Sequence, residues 1–542
     1  MLDRIKDFIK VHYDLLCSIA IFTVILVAFF FGFKKQGFYI DEYYVYTFAN
    51  GTQLGMDIDV GEWNDTSRYV EQLVSTGEEN FHFSRVYENV KLYGVHPILY
   101  YYLIHFVSSI FSGVFSKWIG ISVNICVLIP ILYLVKRITW RISGGNEAVT
   151  LITILLYGLS PATISMVILV RMYLLLSFWT MLYTYIHLEN LESNVLSVRR
   201  FLVPVFICGF FGFLTQYFFV IVMFFITFVY AFYLLVFCRR IRDTLIYGLT
   251  ALFSLVCTYF VWPISYYHIF MGYRGKGAIA QAMDFGSMGN RFLTHLEWLN
   301  KMVFGNLIIL FIPLLIWGVI RILKRIIMLR KSGNNNAFLS LSVTTRAFVF
   351  LGISAILNYL VLTQVALMDG GITCCRQMYT AYAMFILLIP TGIFRLLEEL
   401  PYLQLKRLSF PLTAVLTAVV IISGFLYGSV LFVYENERIA TRYAEEHPDS
   451  KVVFFQNDDG NYDSRMQEVI MYPKVFFASI NDLSSAEDDT IADADELLVY
   501  LSTAEDDPES CFDSIYAQNP KLKQADHLWD SGSGFFSVYL MH

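Results

Sequence analysis

The chain has 542 residues, of which 57% are hydrophobic, 17% aromatic and 15% charged, with a formal net charge of −6. The apolar share lies well above that of soluble domains and the charged share well below it. No basic stripe interleaves with exposed aromatics, which excludes nucleic acid as a partner. None of the eight cysteines sits at a metal-ligand spacing or marks a disulfide framework, and the neighbours Cys374 and Cys375 are too close in sequence to bridge each other without strain.

In chain order, Leu15 to Phe33 is an apolar run long enough to cross roughly 30 Å of hydrocarbon. It lacks the small-residue pattern of a cleaved signal peptide, so it is expected to stay as the first helix. Further apolar stretches follow at Ile119 to Val135, Ala148 to Pro161, Met172 to His187, Phe201 to Thr215, Tyr217 to Phe237 and Thr244 to Pro263. Val303 to Ile320, Ala347 to Leu367, Met378 to Phe394 and Leu412 to Val433 complete the series, which predicts about eleven helices crossing the membrane.

Short basic loops stay cytoplasmic. Those here carry Arg4/Lys6/Lys10, Lys136/Arg137/Arg141, Arg199/Arg200, Arg239/Arg240/Arg242, Arg321/Lys324/Arg325/Arg330/Lys331 and Arg395/Lys406/Arg407. They share one side only if the stretch Pro97 to Phe111 does not cross. It is therefore expected to be an interfacial helix, with Tyr100, Tyr101, Tyr102, His105, Ser108, Ser109 and Ser112 offering polar tips to the headgroup level; a spanning helix is the main alternative. This puts the N-terminus in the cytoplasm of a multi-pass plasma-membrane protein. The opposite side carries a first long loop (34–118), in which Tyr39 to Phe48 and Ser67 to Val74 read as surface amphipathic segments, and a second loop (264–301).

From Tyr434 the pattern changes to short strands at Lys451 to Gln456, Val475 to Ile480, Leu497 to Leu501 and Phe535 to Leu540, with a helix at Arg438 to Glu446. The expected organisation is a transmembrane catalytic domain (1–434) and a small extracytoplasmic α/β domain (435–542). Gly333 with Asn334, Asn335 and Asn336 reads as a cytoplasmic turn.

Chemistry is expected to collect on the loop side. Asp41 and Glu42 are adjacent carboxylates just past the first helix exit, able to activate a hydroxyl or hold a cation; solvated loop charge is the plain alternative. Arg171 and Arg376 lie at the loop-side ends of apolar stretches, where an unpaired guanidinium is costly unless an anion meets it or it snorkels. Together they suggest a bound phosphate or pyrophosphate. His96 precedes Pro97, and Asp369 precedes Gly370-Gly371. The second loop brings His268, Arg274, Lys276, Asp284, Arg291, His295 and Glu297 among glycines, either a charge-bearing lid or ordinary solvated charge.

These residues fall in an order that resembles the polytopic GT-C glycosyltransferases of the protein O-mannosyltransferase and aminoarabinose lipid A transferase group. Asp41-Glu42 resembles that family's first-loop acidic pair, and His96-Pro97-Ile98-Leu99 its His-Pro-Pro-Leu motif. Ser160-Pro161 followed by Arg171-Met172-Tyr173, Thr215-Gln216-Tyr217-Phe218, and Cys375-Arg376-Gln377-Met378-Tyr379 are similar to its later motifs. The resemblance runs over roughly residues 15 to 435. It implies the GT-C fold and an inverting transfer of a sugar from a polyprenyl-phosphate donor to a hydroxyl of a glycan, lipid or protein. Asp41 would then be the general base and Glu42 its helper, with Arg171 and Arg376 holding the leaving phosphate. His96, Tyr173, Gln216, Tyr217 and Tyr379 would line the substrate site. Ile98 and Gln216 depart from the pattern. No cofactor is implied, and a divalent metal is left open because no second acid accompanies Arg171. The alternative readings are a flippase or transporter of lipid-linked sugars, which would place polar residues nearer mid-membrane, and a glycan polymerase. The transferase reading requires Asp41, Glu42, Arg171 and Arg376 to converge in one cavity.

Overall fold

The computed structural model describes residues 2–52, 58–331, 337–366, 372–400, 406–428, 430–456, 466–503, 508–531, 534 and 536–542. Asp369, the Gly370-Gly371 pair and the turn from Gly333 to Asn336 lie outside the described residues, as does the side chain of Cys374. Eight helices among them are long and apolar enough to cross a membrane: Tyr13–Lys34, Lys117–Ser143, Val198–Thr215, Phe219–Phe237, Ile241–Val261, Val343–Val365, Cys375–Glu398 and Ser409–Tyr427. Two bent helix pairs raise the number to ten. The remaining expected stretch, Met172 to His187, lies in the 18-residue helix Tyr173–Asn190, whose last turn carries His187, Glu189 and Asn190. It packs chiefly along Lys117–Ser143 and Val203–Thr215, where His187 is buried and Glu189 stays exposed.

Both bends have local causes. Glu147–Leu159 and Pro161–Ile168 meet at 51°, because Ser160 is extended and Pro161, which has no N–H to give, opens the second helix. The Ser160 hydroxyl caps that helix by accepting from Thr163 N at 3.2 Å. Met288–Phe304 and Ile308–Lys331 meet at 95°, through Gly305 and Asn306 in the left-handed region at φ 58° and 65°. The stretch Val303 to Ile320, expected as one span, therefore starts inside that corner. Leu412 to Val433 is also shorter than expected, since the helix stops at Tyr427.

Basic residues gather at the end of the bundle away from both long loops. There Lys136 meets Asp14 at 2.7 Å, Arg141 meets Glu192 at 2.6 Å, and Arg395 reaches Thr344 at 2.9 Å. The stretch Pro97 to Phe111 forms the 12-residue helix Leu99–Ile110, about 18 Å long and too short to cross. Its polar residues do not point to the headgroups as expected. Tyr100, Tyr101, His105, Ser108 and Ser109 are buried, because Asn50 and Asn124 offer them partners: His105 Nδ1 meets Asn50 Oδ1 at 3.2 Å and Tyr100 donates to Asn124 at 3.1 Å. Phe106, Ile110 and Phe111 form the outward face instead.

The C-terminal stretch folds into a six-stranded sheet of order β1-β3-β2-β4-β6-β5. The strands are β1 Trp63–Asp65, β2 Val452–Gln456, β3 Lys474–Ser479, β4 Leu497–Ser502, β5 Ala525–Asp530 and β6 Phe536–Met541. β2 runs parallel to β3 and β4, and the edges are antiparallel. Period-two alternation divides the sheet. Val453, Phe455, Val499 and Leu501 pack under Ile491 and Ile515, while Phe454, Phe477 and Tyr500 join the same apolar core as the helical bundle. Four strands follow the expected segments. The β5 strand, with its charged Asp526, His527 and Asp530, lacks an apolar run, and β1 comes from the first long loop.

Candidate functional site

The first helix ends at Lys34, and helix Ile40–Asn50 starts after a short crossing segment, with Tyr39 as its N-cap. Asp41 and Glu42 are thus first-turn acids, favoured there by the helix dipole. Their side chains part company. Glu42 is fully buried: Oε2 accepts from Tyr39 N at 2.6 Å and from Lys35 Nζ at 2.9 Å, and Oε1 accepts from Val170 N at 2.6 Å. Three hydrogen bonds, from Lys35, Tyr39 and Val170, hold the carboxylate, and none of it is exposed.

Asp41 turns the other way and meets both arginines. Arg376 Nη1 donates to its Oδ2 at 2.5 Å, and Arg171 Nη2 lies 3.6 Å from the same oxygen. Arg171 Nη1 also donates to the Asp41 carbonyl at 3.1 Å. The side chains are 15% (Asp41), 3% (Arg171) and 4% (Arg376) exposed. The Arg376 guanidinium stacks between two rings, 4.9 Å from the Tyr39 centroid and 5.8 Å from that of Tyr173. Although burial opposes charge on Asp41, the guanidinium groups of Arg171 and Arg376 prevail and hold its carboxyl well below the usual carboxylate range. Among the described residues the centre sets two guanidinium groups against the Asp41 carboxylate.

His96 stands beside this cluster. Its Nδ1 pairs with Gln216 Nε2 at 3.3 Å, and burial together with Arg171 keeps the imidazole neutral, far below its usual pKa. Tyr217 connects the second loop to the site, with its hydroxyl 2.8 Å from His268 Nδ1 and accepting from Trp262 Nε1 at 3.0 Å. Tyr379 lies elsewhere: its hydroxyl is 3.0 Å from Thr163 Oγ1 and 3.2 Å from the Tyr157 hydroxyl, one turn further into the bundle than Arg376.

Most charges of the second loop serve its own architecture. Arg291 caps the end of helix Val343–Val365 by donating to the carbonyls of Thr363 and Ala366. Gln364 holds the carbonyls of Gln281 and Asp284, both at 2.9 Å, and His295 is buried. Arg274 is exposed on the loop and acts electrostatically on His96, which makes it the loop cation nearest the site. Three residues of the site escaped the sequence reading: Lys35, Tyr39 and Tyr101, the last buried within electrostatic reach of Arg171 and Asp41. The only signal in the sequence was the density of aromatics and charge from Lys34 to Tyr44. Among the described residues no three His, Cys, Asp or Glu side chains gather as a metal site would need.

The turn that carries Arg171 leaves no slack behind it. Gly120 of helix Lys117–Ser143 faces Val170, and a Cβ there would lie 2.0 Å from Val170 Cγ1. Gly120→Ala is expected to lower stability by about 1–3 kcal/mol, because Val170 must move to admit the new methyl group. Thermal unfolding tests this; unchanged stability would contradict it.

No protein-family model and no curated protein matches this sequence. Solved structures similar to it include ArnT from Cupriavidus metallidurans bound to undecaprenyl phosphate, at 10% identity and a TM-score of 0.44, covering 96% of this chain and 97% of that one. The apo state of the same protein gives 11% identity and a TM-score of 0.42 over 92% of this chain and 96% of that one. The Archaeoglobus fulgidus oligosaccharyltransferase in complex with zinc and sulfate gives 11% and 0.40, over 95% of this chain and 72% of that one. Likeness at this level assigns neither family nor activity.

Proposed function

We propose that this membrane protein is an inverting GT-C glycosyltransferase that moves a sugar from a polyprenyl-phosphate donor to an acceptor hydroxyl on the outer face of a plasma membrane. The observation that carries the reading is Asp41 held between Arg171 and Arg376 at the loop end of an apolar bundle. Two guanidinium groups converging on one oxygen suit a phosphodiester, which brings one negative charge and gains a second as it leaves.

In the proposed reaction the donor phosphate takes up both guanidinium groups, loosening their hold on Asp41 and raising its basicity. The acceptor hydroxyl oxygen attacks the anomeric carbon while the carbon–oxygen bond to phosphate breaks on the opposite side. The hydroxyl proton passes to Asp41, and the bonding pair leaves with the polyprenyl phosphate. Backside displacement inverts the anomeric centre, and a phosphate leaving group needs no acid partner, so one carboxylate suffices. Glu42 serves by position, consistent with its saturated bonding, and neutral His96 with Gln216 offers hydrogen bonds to sugar hydroxyls.

The pH dependence is a test. With its folded-state pKa depressed, Asp41 contributes pairing energy that is present above the unfolded value of about 4 and lost only as pH falls through the folded one. The kcat/KM profile for donor is therefore expected to lack an acid limb from Asp41 above about pH 5. The profile of kcat, which reports the donor-bound state, is expected to show that limb at higher pH. Rates of the reconstituted protein across pH check both; identical limbs in the two profiles would contradict exchange of the carboxylate for phosphate.

A further inference from the structure

Three segments meet at one buried ammonium group, and a fourth joins through its carboxylate partner. Lys35 Nζ donates to Glu42 Oε2 at 2.9 Å and to the Phe432 carbonyl at 3.1 Å, and lies over the rings of Phe38 and Tyr434 at 5.7 and 5.5 Å. Glu42, with Lys35, is wholly enclosed and accepts from the N–H groups of Tyr39 and Val170. Each partner is next to, or near, a site residue: Glu42 follows Asp41, Val170 precedes Arg171, and Tyr39 stacks on Arg376. Phe432 begins the passage from the last helix to the C-terminal domain. That domain also grips the first loop, through Phe38 N to Gln467 at 2.8 Å, Gln36 N to the Val433 carbonyl at 2.8 Å, and β1 on β3.

We propose that Lys35 is a positioning residue for the transfer reaction, its pair with Glu42 fixing Asp41 against Arg171 and tying that spacing to the seating of the C-terminal domain. The inference rests on the function proposed above. A surface ion pair could not do this, since water and side-chain freedom would blur its length. A buried pair held by two further backbone N–H groups has little freedom, and removing one partner leaves an uncompensated charge that forces rearrangement. In Lys35→Met, Glu42 must take up a proton or recruit water. Either change loosens the Tyr39 and Val170 amides and with them the spacing of base and phosphate ligand, where about 1 Å is worth roughly a hundredfold in rate.

The test compares wild type, Lys35→Met and Lys35→Arg in lipid nanodiscs, using labelled polyprenyl-phosphate sugar and an envelope extract as acceptor. Lys35→Met is expected to lose at least about tenfold in kcat with donor KM little changed. Lys35→Arg, which keeps the charge, is expected to recover most of the loss. Hydrogen exchange, which needs no turnover, is expected to show faster exchange in Lys35→Met at the Tyr39 and Val170 amides and unchanged protection in Ile241–Val261. Should Lys35→Met not fold, the double variant Lys35→Gln with Glu42→Gln, which buries no charge, is read in its place. Wild-type turnover with kcat and amide exchange unchanged in the variant overturns the positioning role. A wild type that transfers no sugar, with the amide changes as expected, overturns the proposed function instead.

Discussion

Asp41→Asn is expected to abolish sugar transfer, by roughly 10²–10⁴-fold for loss of a general base, while binding polyprenyl phosphate more tightly than wild type. The two effects have opposite signs because Asp41 is expected to serve two states. In the resting site its carboxylate neutralises Arg376 at 2.5 Å and Arg171 at 3.6 Å, so incoming phosphate must compete with it for both. The amide of Asn removes that competitor and with it the carboxylate that contacts both cations. About tenfold tighter binding corresponds to roughly 1.4 kcal/mol, a modest fraction of what two partly buried ion pairs supply. Single-turnover transfer and equilibrium binding of labelled polyprenyl phosphate, made on one preparation, separate these effects. A variant that still transfers sugar at the wild-type rate removes Asp41 from the chemistry.

Arg376→Gln is expected to weaken donor binding and slow transfer together, by about 10²–10³-fold in kcat/KM. Arg376 combines three contacts in one planar group: the Asp41 carboxylate and the faces of Tyr39 and Tyr173. The rings fix the plane in which its donors point, which matters for a phosphate that gains charge as it leaves. Arg376→Lys is therefore expected to rescue little, since an ammonium group can neither stack between the rings nor offer paired donors. Steady-state kinetics with varied donor checks this. Rescue of kcat/KM to within a few-fold by lysine would show that charge alone matters there.

Much of the bundle was legible because crossing a bilayer is a local demand that an apolar run meets on its own. The corners were less so. The break at Ser160-Pro161 follows from proline chemistry, yet nothing local says that Pro161–Ile168 turns back into the core to present Arg171. Leu99–Ile110 was expected not to cross from the loop charges, and its 12 residues agree with that. Its polar face was assigned to the headgroup level because Asn50 and Asn124, its partners, are distant in sequence. The same limit explains β1: Trp63–Asp65 has too few residues for a period and becomes a strand only because β3 offers an open edge. At the site, Asp41, Arg171 and Arg376 stood out as charges beside apolar runs. The resemblance made Asp41 the base and Glu42 its helper, but did not say that their side chains part, Glu42 to Lys35 and Val170 and Asp41 to the two arginines. Tyr379 shared a motif with Arg376, but on a helix a three-residue step carries its hydroxyl a turn deeper, to Thr163 and Tyr157.

The most direct test of the account is the fate of label when wild-type protein in proteoliposomes meets radiolabelled polyprenyl-phosphate sugar and an envelope extract. The account predicts a new glycosidic product whose anomeric configuration is opposite to that of the donor. Movement of the labelled lipid across the bilayer with no glycosidic product, or a product that retains the donor's configuration, would contradict it.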